Sequence, residues 1–381
     1  MKKLIGLFVL TAVVCFFGTK LWAYEPYDGM SLSGSLYGEY RWMAHKGLDN
    51  HTDSQSDLYL RKFELSVEAN LTDWATANVV LNSEYIGDTL NGEDDKVVVD
   101  EATLTLQPQE HGVYIVMGKR TQPFGVFENH LITDPLTQDA YETKVVGLTA
   151  GVVPFEGLDL SVTAYKGSEQ MNHLIESGIL GDALQSSNTE VSDEVNSFVV
   201  ALQVEPIKER LFLSGAYLSE PGSGKRNETL NLSMTFVPAF VDGLRFDMEL
   251  MKALKRQVYA PATKPYKETI WSLSLAYEFV LKRRQTRGSG LFTLRRAHTV
   301  SEPFEIAIRY EHLDDDSLAK DLGTYTLKDR YSIGARYSFY NDETAGVNIF
   351  LATEYRYTDY RTSNTPEDNN QELYLRVGMD F

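Results

Sequence analysis

The chain has 381 residues, 43% hydrophobic and 24% charged, with one Cys and a formal net charge of -18. A single Cys argues against a disulfide scaffold or a Cys-based zinc site, and the acidic balance argues against nucleic acid as a partner, which needs basic patches. The 22 Tyr and 18 Phe beside only 12 Pro favour strands over helices or disorder.

At the N-terminus, Lys2 and Lys3 precede an apolar run from Leu4 to Gly18, and Leu21-Trp22-Ala23 ends in a small residue. This pattern predicts a secretory signal peptide over 1–23, cut between Ala23 and Tyr24. The alternatives are an uncleaved anchor helix and lipidation at Cys15, although Val13 and Val14 are not the small residues such a site prefers. Removing 1–23 takes away three lysines and the sole Cys, which makes the remaining chain, 24–381, more acidic still. No later apolar run reaches the ~18 residues of a spanning helix, so entry into a membrane requires a barrel.

Period-2 alternation then recurs to the C-terminus. Phe63, Leu65, Val67, Ala69 and Leu71 alternate with polar residues; so do Trp271, Leu273, Leu275, Tyr277 and Phe279, and finally Leu373, Leu375, Val377, Met379 and Phe381. Each run has the length of a tilted strand crossing a bilayer, ~9–11 residues. The pattern predicts sixteen strands, near 31–42, 58–71, 74–85, 97–106, 113–120, 144–153, 157–166, 196–204, 210–218, 229–237, 244–254, 267–279, 304–312, 330–340, 346–357 and 373–381. Eighteen result if 291–296 belongs to an extra hairpin.

Connections on one side are long and polar, and those on the other are mostly tight, as at Thr72-Asp73 and Asn341 to Ala345. Bacterial outer-membrane barrels have this asymmetry. One connection departs from it: 280–303 is long where a tight turn is expected, and it carries Lys282, Arg283, Arg284, Arg287, Arg295 and Arg296 with no acid between Glu278 and Glu302. It reads either as a basic segment held against anionic lipid or a partner, or as a solvated insertion or miscounted hairpin.

Alternation alone does not say which face meets lipid, because a secreted β-sandwich or a soluble barrel also alternates. The polar face, however, carries long charged residues such as Glu39, Glu64, Glu84, Arg245, Glu249, Glu311 and Glu354, which suit a wet channel. Aromatics gather at strand ends, at Tyr40, Trp42, Trp74, Tyr85, Phe279, Phe304, Phe339, Tyr355 and Tyr357, as interfacial girdles do. The expected fold is an all-β transmembrane antiparallel barrel.

The alternating C-terminal strand closed by Phe381 looks like the assembly signal of outer-membrane barrels. The segment 98–152, with VDEA, MGKRTQPFG, ITDPLT and Glu142-Thr143, resembles the LbtU family of siderophore porins, as does LRKFELSVEANLTDW at 60–74. Thr121 and Gln122 stand where that family's turn is more aromatic. A weaker resemblance runs to phosphate-selective porins. The resemblance implies a bacterial outer-membrane porin that passes small molecules, iron-siderophore complexes among them. It also implies contact with outer-membrane lipid and with the assembly machinery through the last strand. A homotrimer is left open, since a subunit interface and a lipid face are both apolar.

By the strand order, 121–143 is the third long loop; the resemblance implies that, as in sixteen-stranded porins, it folds into the channel and forms the constriction, the alternative being an ordinary external loop. Pro123 and Gly125 bend it, Phe124, Phe127, Leu131 and Ile132 are placed to pack on the inner wall, and Glu128, Asp134, Asp139 and Glu142 bring negative charge. Alternation turns Arg309, Arg330, Arg336, Arg356 and Arg376 inward on the last four strands, with Arg41 on the first strand beside them. This predicts an arginine ladder facing an acidic loop. The competing reading is a set of paired lumen charges, because Glu305, Glu311, Glu354 and Glu372 share the wall. Met171, Leu174, Ile175 and Ile179 have helical spacing, which predicts either a short helix over the mouth or a plain loop. Asp314-Asp315-Asp316 reads as a solvated acidic run.

Enzyme signals fail. No G-x-S-x-G occurs, Gly222-Ser223-Gly224-Lys225 has Ser219 where a phosphate loop needs Gly, and the seven His offer no close metal-ligand pair. The expectation is a passive channel with no cofactor and no metal. The rivals are a general or anion-selective diffusion porin and a structural or adhesive barrel.

Overall fold

Sixteen antiparallel strands close into one barrel in sequence order, each paired with its neighbours and β1 paired with β16. This computed structural model describes residues 29–46, 54–90, 96–108, 112–180, 184, 194–287, 297–362 and 369–381; Ala23 and Tyr24, with the rest of 1–28, lie outside them. The strands are β1 (Met30–Lys46), β2 (Ser54–Thr72), β3 (Ala75–Ile86), β4 (Val98–Leu106), β5 (Val113–Thr121), β6 (Lys144–Phe155), β7 (Leu158–Lys166) and β8 (Val195–Ile207). They continue with β9 (Leu211–Glu220), β10 (Asn227–Phe236), β11 (Leu244–Lys255), β12 (Thr269–Arg287), β13 (Ala297–Asp314), β14 (Tyr325–Asp342), β15 (Val347–Thr362) and β16 (Asn369–Asp380). Three short helices lie in the long loops: α1 (Leu136–Tyr141), α2 (Glu169–Glu176) and α3 (Leu318–Leu322).

Closure gives every strand two partners, so no edge is left to pair elsewhere. The seam is regular, with Glu39 opposite Arg376 and Leu36 opposite Met379. Phe381 extends it by one residue, exchanging backbone hydrogen bonds with Gly34 at 2.8 and 3.0 Å. Gly34 is required there: a Cβ would stand 2.4 Å from the Glu64 carbonyl oxygen and 2.8 Å from the Phe381 ring.

The two faces separate as the alternation predicts. Val79, Ile115, Leu148, Val162, Ile308, Ile333, Leu351 and Val377 are exposed on the outside, while Glu249, Arg309, Glu311, Arg330 and Glu354, on the opposite face, are buried. Aromatic rings line up outside at two levels. Trp271, Tyr310, Tyr331 and Tyr357 form one row, with neighbouring centroids 4.8–6.3 Å apart. Tyr277, Phe279, Phe304 and Tyr337 form the other. Tyr85 does not join a girdle; it turns inward beneath the Arg61 guanidinium, 4.2 Å from the ring centroid.

The long basic connection is shorter than the sequence suggested. β12 and β13 extend toward each other and pair as far as Arg287 opposite Ala297, so much of 280–303 is a two-stranded ribbon. The residues that raised an eighteen-strand count, 291–296, lie outside the described residues.

Candidate functional site

The segment between β5 and β6 turns into the barrel and is fastened to the far wall. Glu249 on β11 accepts the Val126 N–H and the Thr137 hydroxyl, each at 2.8 Å. Glu311 on β13 accepts the N–H of Leu136, the first residue of α1, which offsets the unsatisfied donors and positive end of that helix. Glu354 on β15 binds the Thr133 N–H and hydroxyl, both at 2.7 Å. Arg309 bonds Asn129 Oδ1 and the carbonyl oxygens of Thr133 and Asp134, each at 3.0 Å. His130 is held between Asp247 at 2.9 Å and Glu305 at 3.0 Å. Burial draws the imidazole down, but these carboxylates outweigh it and hold the pKa up at about 9.

Apolar packing completes the fastening. Phe124 is buried with its ring 5.8 Å from that of Tyr141, and Phe127 covers Gly125, where a Cβ would meet its ring at 2.3 Å. Leu131 occupies the space that Gly334 leaves on β14. At the end of the barrel away from Met30 and Phe381, α1 and α2 share a buried core. Leu136, Tyr141, Met171 and Leu174 meet Met251 and Ile270 there. Glu220 on β9 accepts the Gln170 and Met171 N–H groups at 2.9 and 3.0 Å, capping α2 from the wall. The helical spacing at Met171, Leu174 and Ile175 therefore does mark a helix, while Ile179 lies beyond its end and is buried in the same core. Asp315 is not solvated: it is buried and caps α3 through the Ala319 N–H at 2.9 Å.

What stays open lies on the other side of the inward segment. A polar space of ≈ 460 Å³ is lined by Asp134, Gln138 and Glu142 from that segment, and by Arg61, Lys62, Glu64, Glu84, Asp100, Lys144 and Arg376 from the wall. Each wall cation has a carboxylate partner: Arg61 with Glu84 at 2.6 Å, Lys62 with Glu64 at 2.6 Å, Lys144 with Asp100 at 2.5 Å, and Arg376 with Glu39 at 2.6 Å. Arg61 also reaches toward Asp134, at 3.9 Å. Burial and the charges of Asp139 and Glu142 push the Asp134 carboxyl up to about 6. A second space of ≈ 420 Å³ opens beside Pro123, Arg120 and Tyr114.

The expected site residues thus divide. Asp134, Glu142 and Arg376 share the open space. Glu128 is tied to Arg245 at 2.6 Å, and Asp139 to Arg330 at 2.8 Å. Arg309 and Arg330 hold the segment rather than face it across water. Arg356 pairs with Glu372, and Arg41 with Asp88. Arg336 packs over Phe350 and bonds Asp380 at 3.1 Å, beside a smaller space of ≈ 70 Å³.

Arg61 and Lys62 were not among the expected residues. Strict alternation sends only one of two neighbours inward, but the β1–β2 register shifts between Tyr37, opposite Lys62, and Gly38, opposite Leu60. That bulge brings both cations to the lumen. Two consecutive cations, Arg61-Lys62, inside an alternating strand are the one sequence signal available.

Neither a protein-family model nor a curated protein sequence matches the chain. Solved structures do. The outer-membrane channel DcaP of Acinetobacter baumannii superposes with a TM-score of 0.59 at 12% identity, over 94% of this chain and 100% of that one. OmpF of Salmonella typhi, solved with daunomycin, gives 0.59 at 13% identity over 92% and 97%. OprB of Pseudomonas putida gives 0.55 at 11% over 93% and 94%. The fold is one these barrels share. Among the described residues no group of His, Cys, Asp and Glu is arranged to hold a metal, and no helix is long and apolar enough to cross a membrane.

Proposed function

We propose that the chain is a porin of the bacterial outer membrane that lets small hydrophilic solutes pass without energy coupling and without catalysis. The observation that carries this reading is the inward segment latched to one wall, with a charged, water-accessible space left between Asp134 and Glu142 and the wall cations Arg61, Lys62, Lys144 and Arg376. In this reading 121–143 is the constriction, 1–23 is a signal peptide, and Phe381 ends the strand that the assembly machinery reads. Small barrels fill with side chains, whereas a sixteen-stranded one leaves an aqueous channel.

Iron-siderophore complexes are the finer candidate solute, supported by the resemblance at 60–74 and 98–152. A general diffusion channel is the second reading, favoured by the pairing of each cation bordering the space with a wall acid, which leaves none of them uncompensated for holding an anionic solute while Asp134 and Glu142 add negative charge. Planar-bilayer recording of the purified protein is expected to show stepwise conductance; a folded barrel that conducts nothing would instead support an adhesive or structural role. Liposome swelling with an iron-siderophore complex and with sugars of similar size separates the two channel readings. Faster entry of the siderophore supports the first, and equal rates discard it.

A further inference from the structure

The ribbon formed by the ends of β12 and β13 differs from the tight turns at the same end of the barrel, such as that between β2 and β3. β11 last pairs with β12 at Leu244 opposite Tyr277, so from Phe279 to Arg287 β12 runs on with only β13 beside it. We propose that this ribbon binds the phosphates of anionic phospholipids in the inner leaflet, an inference that rests on the outer-membrane reading above.

Depth carries it first. Phe279 and Phe304, with centroids 5.4 Å apart, belong to the lower aromatic row, and such rows mark the lipid–water boundary. Lys282 and Arg283 stand three and four residues beyond Phe279, roughly 10–13 Å along the strand. At a barrel tilt of ~40° this is about 7–10 Å along the membrane normal, against a headgroup layer roughly 5–8 Å deep. Both side chains are open, 73% and 64% exposed. They follow Val280 and Leu281, each 51% exposed, so apolar side chains lie at the acyl boundary and cations at the phosphates.

Charge carries it second. The chain is acidic overall, yet no Asp or Glu occurs between Glu278 and Glu302, while Arg284 and Arg287 add to the same strand. The acids nearest the cations are Glu302, 3.4 Å from Lys282, and Glu343, 2.6 Å from Arg283. The cation end of each pair is exposed, and a pair with a solvated cation is weak and exchanges readily for a phosphate. Each Lys or Arg near an anionic surface strengthens binding roughly fivefold, and Glu302 and Glu343 reduce the yield of the two together to about fivefold.

The test is native mass spectrometry of the full-length protein in detergent, titrated with phosphatidylglycerol and, separately, phosphatidylethanolamine. The wild type is expected to retain phosphatidylglycerol preferentially, and the Lys282→Gln/Arg283→Gln variant to lose about fivefold of that preference, while Lys208→Gln, on another turn, loses none. Equal retention of the two lipids, or an unchanged preference when Arg284→Gln and Arg287→Gln are added, overturns the inference and leaves an acidic soluble partner as the alternative. Conductance of the same samples distinguishes the two failures: a conducting wild type without lipid preference loses only the lipid site, and a non-conducting one loses the channel reading.

Discussion

Thr133 and Glu354 meet through two hydrogen bonds: the Thr133 N–H and hydroxyl each donate to a different oxygen of the Glu354 carboxylate, both at 2.7 Å. The partners are far apart in sequence, and the pair fixes the middle of the inward segment to β15. Glu354→Ala leaves two donors without their acceptor and is expected to weaken docking by about 1–3 kcal/mol. Single-channel recordings should then show noisier open states than the wild type, with the barrel's folded band on unheated gels unchanged.

Loop docking is expected to depend on pH through His130. Its pKa, held at about 9 between Asp247 and Glu305, is raised above the ordinary value near 6.5. The stabilisation is therefore complete below about 6.5 and is lost as pH rises through about 9. Open-channel noise is expected to grow as the pH passes about 9, and His130→Gln, neutral throughout, should be noisy at neutral pH with no further rise.

Ion selectivity is expected to change at the acid end for a different reason. Asp134 faces the open space and titrates at about 6, so it carries negative charge above that pH and loses it below. Cation preference, read as the reversal potential in a salt gradient, should fall as pH drops through about 6. Asp134→Asn should show the low-pH value at pH 7 and remove that step.

Of the inward arginines on the last strands, Arg376 borders both the large and the small space, and Arg336 only the small one. Arg376→Ala is expected to shift the reversal potential toward cations, by more than Arg336→Ala does. If neither changes conductance or selectivity, the arginine wall has no part in permeation.

The packed mouth can be tested apart from the charges. Leu174 is fully buried in the core around α2, and Leu174→Ala is expected to cost about 2–5 kcal/mol of that packing. Loosening the cover should raise single-channel conductance above that of the wild type.

The all-β alternating architecture was legible in the sequence, and its closure into one barrel is seen in the pairing of β1 with β16. The alternating runs and the inward-facing arginines follow from alternation, because side chains leave opposite faces of a strand at every step and that rule is local; it left the count between sixteen and eighteen and did not say which face meets lipid. Strand order numbers 121–143 as the third long loop, and its inward course was implied only by the resemblance. Only the tertiary structure decided how the lumen is divided. Arg61 and Lys62 both face it because of a bulge that depends on register with β1. Arg309 and Arg330 became fasteners because the loop reaches them from more than a hundred residues away. Glu249, Glu311 and Glu354 serve as its anchors for the same reason. Alternation tells which way a side chain points, but only the closed barrel determines what meets it there.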